Sequence, residues 1–296
     1  MTMKSCILSF HRPLSRGGWL RLVLLLAAVA LLLVFLFTGF RLDIAVRQYT
    51  QRTAKVPAPL RLVVVADLHS SWYGEDQAEL LALIAAQQPD ALVLVGDIVD
   101  DKRPREGADA FLRQIGAAYP CYYVAGNHEF WSDKAGEIKA FIRSCGIRVL
   151  EGEADLLRVG EQAICIAGVD DPDVAAGNDD VWQLQLEACR DARDDSLYTV
   201  LLSHRPERVD AYAESGFDLV LCGHAHGGQV RIPGLVNGLY APDQGLFPAY
   251  AGGEYRLGAT TMIVSRGLSK KLLPRVYNRP ELVVVDILPP AVSADE

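Results

Sequence analysis

Short apolar runs alternate with helical patterns through the chain after residue 60. Eight of these runs have the length and composition of buried strands: 60–66, 91–95, 121–125, 163–169, 198–203, 217–223, 260–265 and 281–287. Between them, apolar residues recur at helical spacing in 75–86, 107–115, 133–144 and 179–190. This alternation predicts an α/β fold with mainly parallel strands.

The N-terminal part of the chain has a different pattern. Residues 22–40 read LVLLLAAVALLLVFLFTGF, nineteen residues without a charge. At about 1.5 Å per residue, a helix of this length crosses a hydrocarbon core of about 30 Å. A cleaved signal peptide has a shorter apolar stretch and a small-residue cleavage site, and the residues that follow offer no A-x-A. The pattern therefore favours an uncleaved transmembrane helix over a signal peptide.

These patterns divide the chain into five predicted parts. They are a basic N-terminal segment (1–21), a transmembrane helix (22–40), a basic juxtamembrane linker (41–59), a globular domain (60–290) and a tail (291–296). The linker carries helical spacing at Leu42, Ala45, Val46 and Tyr49. That spacing fits a short helix lying on anionic headgroups, and an ordinary solvated linker fits as well.

The distribution of charge and the cysteine content indicate what the protein binds and where its globular domain lies. Residues 1–59 hold eight Lys and Arg against one acidic residue, and the remainder holds 21 against 36. The acidic domain argues against nucleic-acid binding, and no pattern indicates a protein partner. Four basic residues lie on each side of the apolar span, which leaves its orientation in the cell membrane open. The six cysteines are scattered and form no disulfide pattern, which favours a reducing compartment and therefore the cytoplasmic side for the globular domain.

Polar side chains follow five of the predicted strands where each strand ends. Every histidine after residue 11 lies at one of these ends. Each such residue alone is typical of a turn or a cap, but ligands bind beyond the carboxyl ends of strands in α/β sheets. The candidates that converge there are Asp67, His69, Asp97, Asn127, His128, His204, His224 and His226.

Imidazole and carboxylate groups together suit zinc, manganese or iron. Without His128, the candidates number seven, which is enough for two divalent ions about 3.5–4 Å apart with a shared carboxylate. Gly227 and Gly228 give the backbone after His224 and His226 the freedom to turn, so each ring can address a different ion.

The order of motifs resembles that of the calcineurin-like metallophosphoesterases over roughly residues 60–290. The motifs are DLH (67–69), GDIVD (96–100), GNHE (126–129), SH (203–204) and GHAH (223–226). HGGQ (226–229) and SRG (265–267) are similar to the membrane-anchored bacterial branch of phosphodiesterases, which includes UDP-2,3-diacylglucosamine pyrophosphatases of lipid A synthesis. The chain continues GDIVDDK where phosphoprotein phosphatases have GDxxDRG, which weakens a protein-phosphatase interpretation.

The resemblance implies a four-layer αββα sandwich and a role for each candidate. It assigns Asp67, His69, Asp97 and His226 to one metal, and Asp97, Asn127, His204 and His224 to the second, with Asp97 bridging. His128 would be a proton donor or charge stabiliser beside the leaving group, without binding metal. Two ions would activate a water for in-line attack at phosphorus.

The sequence allows two alternative roles for each of three further groups of residues. Asp100 and Asp101 are interpreted as solvated loop acids in preference to groups that tune the site. Four arginines are phosphate clamps or surface ion pairs: Arg205, Arg266, Arg275 and Arg279. The 231–258 loop is an apolar substrate lid or a packed surface loop.

The leading hypothesis is a membrane-anchored dinuclear phosphohydrolase that cleaves a lipid-linked phosphodiester or pyrophosphate. Two alternatives remain. One is a general phosphodiesterase that is tethered only for location, and the other is a catalytically silent scaffold with structural metals. The full ligand set with an additional histidine at position 128 argues against the silent scaffold.

Overall fold

A computed structural model describes residues 15–175, 179–270 and 274–291. Most of the predicted basic segment and tail, residues 1–14 and 292–296, lies outside the described residues. The helices are α1 Arg16–Gly39, α2 Ala78–Ala86, α3 Glu106–Ala118, α4 Asn127–Trp131, α5 Ala135–Ser144, α6 Asp180–Asp191 and α7 Val209–Ser215. The strands are β1 Ala45–Arg52, β2 Leu60–Val65, β3 Ala91–Val95, β4 Cys121–Val124, β5 Arg148–Val149, β6 Glu153–Val159, β7 Gln162–Gly168, β8 Tyr198–Leu202, β9 Leu219–Cys222, β10 Tyr240–Ala241, β11 Gly245–Leu246, β12 Gly253–Leu257, β13 Thr260–Val264 and β14 Glu281–Leu288.

Two six-stranded sheets form the centre of the molecule. The first has the strand order β1-β14-β2-β3-β4-β5, and the second has the order β12-β13-β9-β8-β7-β6. In the first sheet only the pair β14 and β2 is antiparallel. In the second sheet β13, β9, β8 and β7 run parallel, and antiparallel strands form both edges.

Alternate residues of the central strands belong to different layers of the core. Leu62 and Val64 pack between the sheets, whereas Val63 and Val65 pack against helices α2 and α3. In the second sheet, Leu221 packs between the sheets and its neighbouring strand residues pack against α6 and α7. Burial on both faces explains why these strands read as continuous apolar runs. The layers are therefore αββα, as the resemblance implied.

Strands at the sheet edges depart from the predictions. Ala45–Arg52 forms β1, which pairs with β14 in parallel over all eight residues, so the short helix considered for this linker is wrong. β6 was not predicted either. Both strands carry polar, exposed residues on one or both faces, because edge strands lack a covering layer.

Helix α1 is long and apolar enough to cross a membrane, and its apolar side chains are exposed. Its C-terminal end contacts the globular part of the chain. The backbone N–H of Tyr277 donates to O of Gly39 at 2.7 Å, and the ring of Tyr277 lies 5.6 Å from that of Phe35, centroid to centroid. The end of this helix is thereby fixed to the segment that precedes β14.

Candidate metal centre

The loops that follow β2, β3, β4, β8 and β9 meet at one edge of the two sheets. The backbone N–H of Asp67 donates to O of Gly96 at 3.0 Å, and that of His69 donates to O of Asp97 at 2.9 Å. The N–H of His224 donates to Oδ1 of Asp67, also at 3.0 Å. These bonds lock loops from different strands together, and the eight candidate side chains predicted from the sequence lie at this edge.

Five of the predicted ligands have left-handed backbone conformations. The φ angles are 50° at Asp67, 47° at His69, 53° at Asp97, 66° at His224 and 47° at His226. Residues with side chains adopt this region rarely, and each such residue costs of the order of 1–3 kcal/mol. Such strain persists where the surroundings impose it, and it concentrates at functional sites.

Asp67 and Asp97 each face several imidazoles. Oδ1 of Asp67 lies 3.8 Å from Nε2 of His226 and 4.0 Å from Nε2 of both His69 and His204. Oδ2 of Asp97 lies 3.2 Å from Nε2 of His204, 3.5 Å from that of His69 and 3.9 Å from that of His128. Asp97 therefore occupies the centre of the cluster, where a bridging carboxylate would be needed.

These spacings fit metal coordination. Two ligand atoms that share an ion at bond lengths of about 2.0–2.2 Å stand about 3 Å or slightly more apart. Within 4.8 Å of one another, Asp67, His69, Asp97 and His226 each offer a donor atom, and Asp97, His204 and His224 form a second such group. The buried Oδ1 of Asn127 has no hydrogen-bond partner among the described residues, which also suits a metal ligand.

The outer nitrogens of two of the histidines donate to fixed acceptors. Nδ1 of His204 donates to O of Val95 at 2.9 Å, and Nδ1 of His69 donates to Oδ2 of Asp100 at 3.0 Å. Such bonds set the tautomer, because the other ring nitrogen then carries the lone pair that binds a metal. Nε2 of His224 lies 2.7 Å from Oδ2 of Asp243, a contact that sequence reasoning missed because Asp243 lies in a long loop.

Asp100 and Asp101 are not solvated loop acids, and that interpretation is wrong. Asp100 is buried against His69 and accepts from the backbone N–H groups of Lys102 and Arg103 at 3.0 and 3.1 Å. Oδ1 of Asp101 lies 2.6 Å from Nδ1 of His128. Each carboxylate positions one histidine of the cluster.

Glu129 was not singled out from the sequence, although it belongs to the GNHE motif. Its carboxylate accepts from the backbone N–H groups of Asp97, Val99 and Gly126 at 3.0, 2.8 and 2.8 Å. Burial raises the pKa of Glu129 to about 8, and the backbone hydrogen bonds from Val99 and Gly126 oppose that rise. Glu129 therefore ties the loop after β3 to the loop after β4.

Close packing explains the glycines at two of these turns. Gly96 has φ +75°, and a Cβ there would stand 2.3 Å from Nδ1 of His204. A Cβ on Gly126 would stand 2.4 Å from Oδ1 of Asp97. Neither position has room for a side chain beside the cluster.

The electrostatics of the cluster favour a cation. Burial lowers the pKa of His204, but the carboxylates of Asp97 and Asp67 outweigh burial and raise this pKa to about 10. Burial raises the pKa of Asp97, yet the positive charges of His204 and His69 hold it well below its usual range. Protons and metal ions compete for the same lone pairs, so divalent ions would take the place of these protons.

The four arginines considered as phosphate clamps make internal contacts. Arg205 is buried and pairs with Asp171 at 2.6 Å, and Arg266 pairs with Glu281 at 2.5 Å. Arg275 donates to O of Arg266 at 2.7 Å, and Arg279 pairs with Asp43. Of the four, Arg205 reaches the cluster, with its Nη1 3.4 Å from Nε2 of His224.

The chain matches known proteins over most of its length. The pattern that defines the calcineurin-like phosphoesterases matches residues 60–228. A metallophosphoesterase of Aquifex aeolicus (strain VF5) is 31% identical over 250 residues, which cover 82% of this chain and 91% of that protein. The phosphodiesterase YaeI of Escherichia coli (strain K12) is 27% identical over 237 residues, which cover 78% of this chain and 83% of that protein.

A transmembrane protein with a metallophosphoesterase domain from Bos taurus is 26% identical over 236 residues, which cover 75% of this chain and 52% of that protein. The family uses two divalent metal ions, and the cluster of carboxylates and imidazoles described above supplies donors of the required kind. The chain belongs to the calcineurin-like phosphoesterases and is a metal-dependent phosphoesterase.

Proposed function

We propose that the chain is a membrane-anchored phosphodiesterase that cleaves a phosphodiester or pyrophosphate bond in a lipid-linked substrate. The observation that carries the proposal is the short connection between the candidate metal centre and the end of the apolar helix α1. Nδ2 of Asn278 donates to O of His226 at 2.7 Å, and the adjacent Tyr277 donates its N–H to O of Gly39. A helix in the bilayer would hold the centre near the membrane surface.

In this proposal two divalent ions, of manganese, iron or zinc, bind the predicted ligands. Asp67, His69, Asp97 and His226 would hold one ion, and Asp97, Asn127, His204 and His224 would hold the other. Two groups of mutually close donor atoms support this division: Asp67, His69, Asp97 and His226 form one, and Asp97, His204 and His224 form the other, so Asp97 is common to both. When bound, such ions would supply a nucleophile at neutral pH and stabilise negative charge on the phosphoryl oxygens.

His128 acts on the leaving group. Its side chain is 14% exposed, and its Nε2 lies 3.9 Å from Oδ2 of Asp97, so the ring borders the cluster and stays accessible. Asp101 holds the opposite ring nitrogen and thereby fixes the orientation of the imidazole. A histidine in this position can donate a proton to the departing oxygen.

The loop that contains Asp243 carries exposed apolar side chains, which support the proposal of a lipid-linked substrate. Within residues 231–247, Leu235, Leu246 and Phe247 are 80%, 68% and 65% exposed. Asp243 of the same loop contacts His224 of the candidate centre. Contact of these apolar side chains with acyl chains or a bilayer surface is more favourable than their contact with water.

The names of two relatives are consistent with this proposal, one in its activity and the other in its membrane location. YaeI is named a phosphodiesterase, and the protein from Bos taurus is named a transmembrane protein. The motifs HGGQ and SRG are similar to those of a branch that includes UDP-2,3-diacylglucosamine pyrophosphatases. UDP-2,3-diacylglucosamine, a precursor of lipid A, is therefore the first lipid-linked pyrophosphate to test. The second candidate function is a general phosphodiesterase that α1 tethers only for location.

A comparison of two proteins separates these functions. The full chain and a chain that begins at Arg41 have the same candidate ligands, and the shorter chain retains β1. With equal metal content, both should hydrolyse a small soluble phosphodiester at similar rates. On a lipid-linked pyrophosphate in vesicles the shorter chain should be clearly slower, because it lacks the high effective concentration that the tether provides.

Detergent should narrow this difference, because it releases the lipid from the bilayer. Equal rates of the two proteins on vesicle-bound lipid would favour a tether that serves location only. Absence of turnover on every lipid-linked substrate, with full turnover on soluble diesters, would reject the lipid-linked substrate itself.

A further inference from the structure

A small cavity lies between the C-terminal end of α1 and the globular part of the chain. Its volume is about 110 Å³. The residues that line it include Thr38, Arg47, Arg231, Arg266, Arg279 and Glu281. Four of them are arginines and one is acidic, so the cavity wall is strongly basic.

The carboxylates nearby leave part of this charge unpaired. Glu281 pairs with Arg266 at 2.5 Å and lies 3.9 Å from Nε of Arg47, and Asp43 pairs with Arg279. No carboxylate of the described residues lies within 4.0 Å of Arg231, whose side chain donates only to O and Oδ1 of Asn237, at 3.0 and 3.1 Å. Arg231 therefore makes no close ion pair in the part of the chain that the structure describes, and Glu281 acts on it only from a greater distance.

Two further observations indicate that the cavity suits an anion. Arg266 is buried, and its Nε has no hydrogen-bond partner among the described residues. Burial lowers the pKa of Arg231, the positive charges of Arg266 and Arg47 lower it further, and the carboxylate of Glu281 only partly opposes that fall. An anion in the cavity would reverse the effect of these neighbouring charges and would accept from the free donors.

The position of the cavity identifies the source of the anion, on the condition that α1 spans the membrane as proposed above. Thr38 lies in the last turn of α1, directly after the exposed apolar residues of that helix. A cavity beside this turn lies at the depth of the lipid headgroups. Its volume is far below the 300–1,000 Å³ of sites that enclose whole small molecules, so it suits a single phosphate group.

We infer that this cavity binds the phosphate of an anionic phospholipid headgroup. Arg231, Arg47 and Arg266 supply the positive charge, and the planar guanidinium matches the geometry of phosphate oxygens. The bound headgroup fixes the domain against the membrane surface. Because Tyr277 also lines the cavity and precedes Asn278, which contacts His226, the site orients the candidate metal centre relative to the bilayer.

Lipid retention by the full-length protein tests this inference. The protein is purified in a neutral detergent and titrated with phosphatidylglycerol or phosphatidylcholine of identical acyl chains, and native mass spectrometry measures the retained lipid. Phosphatidylglycerol should bind more tightly. Arg231→Gln should weaken its binding about tenfold, because one charge-assisted interaction is lost. Arg231→Lys should weaken it less.

The control variant is Arg158→Gln, which changes an exposed arginine in β6, an edge strand of the second sheet. It should leave lipid binding unchanged. Arg47→Gln is the second test variant, because the side chain of Arg47 is 58% exposed and its loss should not disturb folding. All variants should retain turnover of a soluble phosphodiester, which verifies that the domain is folded.

Two results would overturn the inference: equal retention of the two lipids, or retention of phosphatidylglycerol that neither Arg231→Gln nor Arg47→Gln reduces. If inorganic phosphate stabilises the protein against thermal unfolding as strongly as phosphatidylglycerol does, and Arg231→Gln removes that stabilisation, the anion is free phosphate and the lipid assignment is wrong. Extraction of the full chain from membranes with alkaline carbonate tests the anchor separately. An anchored chain without a preference for phosphatidylglycerol therefore rejects this cavity site and leaves the proposed anchor intact.

Discussion

Oδ1 of Asp101 lies 2.6 Å from Nδ1 of His128, on the side of the imidazole opposite the nitrogen that borders the metal cluster. The two side chains come from different segments: Asp101 lies in the loop after β3, and His128 lies in α4, which follows β4. A bond of this kind fixes the ring in one orientation, and it makes Asp101 a positioning residue for the proposed proton donor.

Asp101→Asn should lower kcat about tenfold and leave both metal ions bound. The amide keeps the shape of the carboxylate but loses the charge that holds the imidazole. If Asp101 acts through His128, Asp101→Asn should cause no further loss in a protein that already carries His128→Ala. Steady-state kinetics of the single and double variants measure this coupling.

Asp109→Asn is the matched control, because Asp109 pairs with Arg105 on α3, away from the cluster. This change should leave kcat within about twofold of the unaltered protein, since the partly buried pair lies away from the cluster and does not contact any candidate ligand. Independent, additive losses from Asp101→Asn and His128→Ala would contradict a role of Asp101 through His128.

His128→Ala should separate catalysis from metal binding. Loss of a positioned proton donor typically lowers the rate about 10²–10⁴-fold. The loss should be smaller for a substrate with a 4-nitrophenol leaving group than for one with an alkyl alcohol, because nitrophenolate departs without a proton. Elemental analysis should find the same metal content as in the unaltered protein. A variant that loses a metal ion would identify His128 as a ligand and would reject the proposed role.

The pairing of β1 with β14 predicts where the chain can be shortened. The domain boundary predicted at residue 60 would permit a cut near Pro57, but that cut removes β1 and exposes the edge of β14, whose residues are mostly buried. We expect such a protein to lose at least about 3 kcal/mol of stability, or about 6–12 °C in Tm for a domain of this size, and to aggregate.

A chain that begins at Arg41 retains β1 and should unfold within a few degrees of the full chain. Thermal unfolding of both shortened proteins in the same detergent measures the difference. Equal Tm values for the two cuts would show that β1 contributes little to the fold.

The central strands and the candidate site residues could be predicted from the sequence for one physical reason. Strands buried on both faces must be apolar throughout, so polar residues such as Asp97 and His204 stand out where the strands end. Edge strands such as β1 lack this contrast, because one face is exposed. The partners of the histidines could not be predicted, since Asp100, Asp101 and Asp243 reach the site only through the course of their loops.

The most direct test of the proposed dinuclear centre compares the full-length protein with Asp97→Asn. Oδ2 of Asp97 lies within 3.5 Å of Nε2 of both His69 and His204, and the carboxylate is the group shared by both proposed ions. A neutral amide bridges two cations poorly, so this variant should bind fewer ions and lose hydrolysis of a chromogenic phosphodiester in the presence of manganese.

Elemental analysis and turnover are measured on the same samples, after removal of metals with a chelator and reconstitution. We predict two divalent ions per chain in the unaltered protein, no turnover after chelation, and recovery of turnover when manganese is restored. An Asp97→Asn protein that binds two ions and keeps full activity, or an unaltered protein that remains active without metal, would contradict the account.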